Sequence, residues 1–212
     1  MYSHPPSDLS RDISCLACRT DLEGLLATVP GAMAIWQALP RRTVAAGEAV
    51  LRQGERAQRV WFVRQGLVRC YFLSADGRER NRSFHAEGSW VGWGAPPHVS
   101  PSGYMVEAIE PSQLVELAYT DLANCLRDLP AMRAVLDDGL SAAHAKQAVR
   151  EADLLLLDAP ERYRAFREEY RAVEHRLALH QVASYLGITN VALSRIRARM
   201  GLVAPRTRQA PA

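Results

Sequence analysis

Between Leu179 and Ile196 the residue types fall at the offsets that a helix-turn-helix requires. Such a unit needs apolar residues where its two helices face each other, a small residue where they touch and a glycine in the turn. Val182, Ala183, Leu186, Gly187, Ile188, Leu193 and Ile196 meet each requirement. Thr189 stands where it can cap the second helix, whose Leu193, Ile196 and Met200 turn inward. The opposite face then carries Asn190, Val191, Ser194 and Arg195. A guanidinium fork can bond O6 and N7 of guanine together and a valine can touch a thymine methyl, so this set suits base edges in a DNA major groove. Arg197 and Arg199 lie off that face and are expected to meet phosphates or solvent. The alternative is an ordinary helical hairpin, which explains neither the outward polar set nor the charge around it.

That charge is unevenly spread. From Glu161 to Ala212 ten Arg stand against four Glu, a balance of +6 in a chain whose net charge is +3, so residues 1–160 are acidic. No acidic residue follows Glu174, whereas Arg176, Arg195, Arg197, Arg199, Arg206 and Arg208 do. A tail of one sign suits a polyanion, although a tail that only keeps the protein soluble would have the same composition.

Other reactive side chains are fewer. Cys15-Leu-Ala-Cys18 could hold a metal, act as a redox pair or be inert, and Cys70 and Cys125 stand far off in sequence. His85 and His98 could ligate haem or metal, or be ordinary hydrogen-bonded residues. Trp61, Trp90 and Trp93 either line an apolar pocket or belong to a plain core. We expect no metal site.

The elements that must carry these residues are legible in pattern. From Arg41 to Leu117 short apolar runs (VWFV, LVRCYFL, RSFHA, SWVGW, YMVEAI, QLVEL) alternate with glycines; Gly54, Gly66, Gly77 and Gly88 are 12, 11 and 11 residues apart. That spacing predicts consecutive antiparallel strands in a sandwich or barrel. Asp76-Gly77, between an apolar run ending at Leu73 and one restarting at Ser83, predicts a hairpin. Leu22 to Leu39 predicts one or two short helices packed on the barrel. A long helix is expected from Ala131 to about Leu157, bounded by Pro130 and Asp158-Ala-Pro. Along it Leu136, Leu140, Ala143, Gln147, Arg150, Leu154 and Leu157 follow coiled-coil spacing, and Val135, Ala142, Val149 and Leu156 form a second stripe. Two stripes suit a helix packed on its own domain and on a partner helix; one wide core face in a monomer is the alternative.

The chain resembles the Crp/Fnr family of bacterial transcription regulators over roughly Arg41 to Met200. The stretches that carry the resemblance are Gln181-Val-Ala-Ser-Tyr-Leu-Gly-Ile-Thr with Leu193-Ser-Arg-Ile-Arg, and Gly66-Leu-Val-Arg through Asp76-Gly77-Arg-Glu to Gly88. It implies an α+β fold: an N-terminal arm (1–25), a β-roll sensor domain of the cyclic-nucleotide-binding type (26–126), a dimerisation helix (127–158) and a winged helix-turn-helix (159–212). It also implies a homodimer on a pseudo-palindromic operator in double-stranded DNA, with RNA polymerase as a further partner. The Ser-Arg pair that reads DNA in the family falls on Ser194 and Arg195, while the acid usually found three residues before that serine is Val191 here. In members that bind cyclic nucleotides a Gly-Glu pair holds the ribose and an Arg-Ser pair the cyclic phosphate. These places fall on Gly92-Trp93 and Ser102-Gly103, so the acid and the cation are both missing. A buried phosphate without a cation is costly to desolvate, which argues against conventional cyclic AMP binding. The Cys15/Cys18 pair is similar to the cysteines that hold an iron-sulfur cluster in oxygen-sensing relatives, but Arg19 to Gly31 lacks their third cysteine, which argues against a cluster. The effector stays unassigned.

No run reaches the roughly 18 apolar residues of a membrane helix and the N-terminus has no signal-peptide pattern, so a cytoplasmic protein with reduced thiols is expected. Two other classes remain open: a cupin-like metal enzyme, for which His85 and Glu87 lack a second nearby histidine, and a protein-interaction module on the same fold.

Overall fold

A computed structural model of the chain describes residues 22–94 and 96–202. Two short helices, α1 (Leu22–Ala27) and α2 (Ala32–Ala38), precede ten strands. These are β1 (Arg41–Val44), β2 (Ala49–Leu51), β3 (Arg56–Ala57), β4 (Arg59–Gln65), β5 (Val68–Leu73), β6 (Glu79–His85), β7 (Trp90–Val91), β8 (Ser100–Pro101), β9 (Met105–Ala108) and β10 (Ser112–Ala118). Helices α3 (Tyr119–Asp128), α4 (Pro130–Leu156) and α5 (Ala159–Glu169), a 3-10 turn (Glu174–Arg176), α6 (Leu179–Leu186) and α7 (Asn190–Arg199) follow.

The strands form two four-stranded antiparallel sheets, in the orders β1-β10-β4-β7 and β2-β9-β5-β6, with a small β3-β8 pair. Val44, Leu51, Trp61, Val63, Val68, Cys70, Val106 and Leu114 meet between them as one buried core. The β5–β6 hairpin closes at Asp76-Gly77, where Gly77 takes φ 79° and its N–H donates to Ser74 O (2.9 Å). The second strand begins at Glu79 rather than Ser83, pairing Glu79 with Leu73. Of its first residues, Glu79 and Asn81 bond the buried Arg69, so hydrophobicity could not reveal the strand.

Helices α1 and α2 pack as expected on the first sheet: Leu26, Ala32 and Trp36 are buried with Val115, and Trp36 meets the edge of Phe62 (centroids 5.2 Å apart). Helix α4 runs 27 residues from Pro130. Its end is enforced by the next helix, where Asp158 Oδ1 accepts from Glu161 N (2.8 Å) and Glu161 Oε2 from Asp158 N (2.9 Å) as a reciprocal cap. Cys15, Cys18, Arg206, Arg208 and the wing expected of the C-terminal unit lie outside the described residues.

Candidate functional site

The turn between α6 and α7 is built by three residues. Gly187 takes φ 71°, a left-handed conformation that glycine alone adopts freely, and Ile188 N donates to Ala183 O (3.0 Å). Thr189 Oγ1 then accepts from Ala192 N (3.2 Å), so its hydroxyl caps α7. Val182, Ala183, Leu186, Leu193 and Ile196 are buried in one cluster, with Ile188 and Met200 packed against it. The helix-turn-helix read from residue spacing is present as geometry.

Asn190, Val191, Ser194, Arg195, Ala198 and Arg199 are exposed on α7. Val191 is 60% exposed, an apolar side chain largely in water. Arg195 makes no ion pair among the described residues, and the weak bond from Arg199 Nε (3.5 Å) reaches only its backbone carbonyl. At 100° per residue, Val191, Ser194, Arg195 and Ala198 share the face opposite Leu193 and Ile196, with Arg199 at its edge. Arg197 departs from expectation. It borders the buried stripe, its Nη1 donates to Tyr163 OH (2.6 Å) and lies 3.6 Å from Glu174 Oε1, so the guanidinium is held inward rather than offered to a phosphate.

The unit does not stand apart from the sheets. Phe84 of β6 is buried among Tyr163, Phe166, Tyr170 and Tyr185, meeting the edge of Tyr170 at 5.4 Å. Asn81 N donates to Ser184 Oγ (3.0 Å) and Asn81 Nδ2 to Gln181 O (2.9 Å), while Ser184 Oγ donates to Glu79 O (3.0 Å). Beneath this seam Arg69, 7% exposed, is held by Glu79 (2.7 Å), Glu107 (2.8 Å) and Asn81 (3.3 Å). Burial opposes the charge of Arg69, but the two carboxylates outweigh it and raise its pKa. From α4, Lys146 pairs with Glu169 (2.7 Å) and Arg150 lies 3.6 Å over the Tyr185 ring, also donating to Tyr185 O.

The four candidate ligand positions are closed on one another. A Cβ on Gly103 would stand 2.4 Å from the Trp93 indole, and one on Gly92 would stand 2.8 Å from Val60. Trp93 meets the edge of Tyr104 (4.9 Å), and its Nε1 donates to Ser100 Oγ (3.0 Å). Tyr104 OH donates to Gly92 O, and Ser102 Oγ, buried, donates to Tyr104 O (2.7 Å). The three tryptophans do not share a pocket: Trp61 is in the core, Trp93 fills this region, and Trp90 sits outside against Phe62 (5.3 Å) and Trp36 (6.2 Å).

Nor do the histidines and thiols converge. His85 Nε2 meets Ser83 Oγ (2.9 Å), and burial, with Lys146 and Arg82 nearby, pushes its pKa down to about 3. Cys70 is buried and its thiol is pushed up to about 11, chiefly by burial. His98 is exposed. Among the described residues no three His, Cys, Asp or Glu side chains gather as a metal site.

Residues 41–128 match the cyclic nucleotide-binding domain family. The chain is 24% identical over 172 residues to the regulatory protein HlyX of Actinobacillus pleuropneumoniae, covering 75% of this chain and 70% of that protein. It is 23% identical over 174 residues to the fumarate and nitrate reduction regulatory protein of Yersinia pestis, covering 75% and 68%. The solved structure of FixK2 from Bradyrhizobium japonicum superposes with a TM-score of 0.68 at 21% identity, covering 77% of this chain and 85% of that one. The chain shares its fold with FixK2, and the relatives it matches in sequence are named as regulatory proteins.

None of these relatives is named as a cupin-like enzyme. No helix among the chain's described residues is long and apolar enough to cross a membrane. Sequence reasoning missed three residues of this region. Ala198 completes the outward face of α7, and the four-residue step from Ser194 was the available signal. Glu174 as the partner of Arg197, and Arg176 as an inter-domain cation, had no local signal because their partners are distant in sequence.

Proposed function

We propose that this chain is a homodimeric, sequence-specific DNA-binding transcription regulator that reads a pseudo-palindromic operator through α7. The carrying observation is the exposed face of α7, where Val191, Ser194 and Arg195 stand free on a helix whose opposite face is buried. Asn190 and Arg199 flank that set, and Thr189 presents the helix start; these are assigned to the DNA backbone. Arg197 is left out of the contact set because Tyr163 and Glu174 hold it. RNA polymerase is a further partner on this reading.

Self-association is assigned to α4. Arg150, in the first apolar stripe, is engaged by Tyr185, while the C-terminal part of α4 leaves apolar side chains of both stripes in water: Leu154 of the first is 44% exposed, Val149 and Leu156 of the second 38% and 74%, with Leu155 beside them at 75%. Apolar side chains so exposed on one long helix suit a second copy of the same helix, whose pairing would space two recognition helices one DNA turn apart.

The β-domain is assigned a sensing role that does not use the customary cyclic-nucleotide contacts, because Trp93 covers Gly103 and Ser102 is bonded to Tyr104. A gel shift with a salt titration on sites selected from random DNA tests the whole assignment. Sequence-selective binding whose affinity falls steeply with salt is the expected result; salt-insensitive or undetectable binding would assign the helix-turn-helix to packing instead.

A further inference from the structure

Two turns of the β-domain converge on one guanidinium, and a third braces one of them. Arg176 closes the 3-10 turn that leads into α6, and its Nη1 and Nη2 donate to Glu87 Oε2 and Oε1, both at 3.0 Å. Its Nε donates to Glu110 Oε2 (3.3 Å), and Nη2 also donates to Glu110 Oε1. The Glu87 carboxylate and the Glu110 backbone are themselves fixed. Glu87 Oε1 accepts from Gly66 N (2.8 Å), and Ser112 Oγ donates to Glu110 O (2.7 Å). Gly66 and Ser112 are pressed together so closely that a Cβ on Gly66 would stand 2.1 Å from Ser112 Oγ. The turns at 66, 87 and 110 thus present a preformed acidic fork whose geometry a planar guanidinium matches and an ammonium does not.

A second line of contact runs parallel to it. β6 is the edge strand of its sheet, and Ser184 of α6 occupies that edge by accepting from Asn81 N and donating to Glu79 O. Arg176 and Ser184 therefore hold the helix-turn-helix at two separate places on the β-domain, and with both closed, Val191 and Arg195 remain exposed. The contacts orient the reading face without hiding it.

We propose that Arg176 is a positioning residue, latching the helix-turn-helix to the β-domain through Glu87 and Glu110 and so fixing where α7 points. The latch rests on the DNA-reading assignment for its purpose but not for its existence, so its closure is measured without DNA.

Amide exchange in the full chain is the test. Asn81 N reports the seam, while Val63 N, bonded to Ser89 O (2.9 Å), and Ala108 N, bonded to Glu48 O (3.1 Å), report the β-domain itself. Arg176→Gln, and separately the Glu87→Gln/Glu110→Gln pair, should each speed exchange at Asn81 about tenfold and leave Val63 and Ala108 unchanged. Reversing the charges with Arg176→Glu and Glu87→Arg, with Glu110→Gln so that the new acid meets no second carboxylate, should restore part of the protection lost in Arg176→Glu alone. Unchanged exchange at Asn81 in both variants, or equal acceleration at all three amides in both, overturns the latch. In a parallel arm Arg176→Gln should weaken operator binding about tenfold, an ordinary size for coupling between sites. A variant with an opened seam and wild-type operator affinity overturns the positioning role, whereas a wild-type chain that binds no DNA overturns the DNA-reading assignment and leaves the exchange result standing.

Discussion

The Trp93 indole lies against Gly103 with no room for a Cβ, which would come within 2.4 Å of the ring. Gly103→Ala must displace either the indole or the backbone, and overpacking of this kind destabilises by about 1–3 kcal/mol. Urea denaturation should register that loss. In the wild-type chain, titration calorimetry with cyclic AMP should give no saturable micromolar binding; a clear isotherm would mean that Trp93 swings out and that the β-domain has other phosphate donors.

Arg195→Ala should cost roughly 1–3 kcal/mol on the cognate site and relax the preference at one base pair, because a bidentate base contact disappears. Arg199→Ala should weaken binding to all sequences alike and reduce the salt slope by about one unit. Selected-site sequencing on both variants separates these outcomes, and an exchange of the two behaviours would reverse the orientation of α7.

Arg197→Ala should act on stability rather than on base preference. It removes the donor to Tyr163 and the neighbour of Glu174, a loss of about 1 kcal/mol in thermal or urea unfolding. Altered base preference with unchanged stability would return Arg197 to the DNA contact set.

Val149→Asp combined with Leu156→Asp should yield monomers in sedimentation velocity without loss of helix, since both side chains are exposed in the single chain. Operator affinity should drop with it, as each monomer would hold one half-site. A dimer that survives both charges would move the interface away from this stripe.

His85 gives the fold an acid-sensitive component. In the unfolded chain it ionises near its ordinary value of 6.5, and in the folded chain near 3, because burial and the charges of Lys146 and Arg82 disfavour the imidazolium. Between those values the unfolded state binds the proton and the folded state does not. This contribution to stability is therefore complete above 6.5, declines as pH falls through that window and levels off near 3. One pH unit into the window the loss is about 1 kcal/mol. Urea midpoints taken from pH 7.5 to 5.5 should fall for the wild type and stay flatter for His85→Gln; equal slopes would place the acid sensitivity elsewhere.

The parts of this molecule that were readable in sequence are those in which a local pattern and a tertiary role coincide. Gly187 with its flanking apolar residues announced the helix-turn-helix, because turn and core both demand fixed types at fixed offsets. Pro130 and Asp158 marked α4 for the same reason. The first half of β6 stayed hidden because Glu79 and Asn81 are polar residues serving a buried network with Arg69, a use of polarity that mimics a loop. Arg197 was misplaced because its acid, Glu174, precedes α6 and only the folded chain brings the two together. The Trp93–Gly103 contact was half legible: substitution at the usual ligand positions could be read, but not that the tryptophan occupies the space itself.

Phe84 belongs by sequence to the sheet and by packing to the C-terminal helices, where it joins Tyr163, Phe166, Tyr170 and Tyr185 in one buried cluster. The cluster cannot be divided without exposing aromatic surface on both sides of the cut. A fragment beginning at Ala159 would lack a wall of its own core, and calorimetry of the intact chain should record one merged transition rather than two. The same fact bears on exchange of parts between relatives. A chimera that joined this β-domain to another head at the end of α4 would leave Phe84 facing a surface never shaped for it, so a working graft must carry β6 along with the helices.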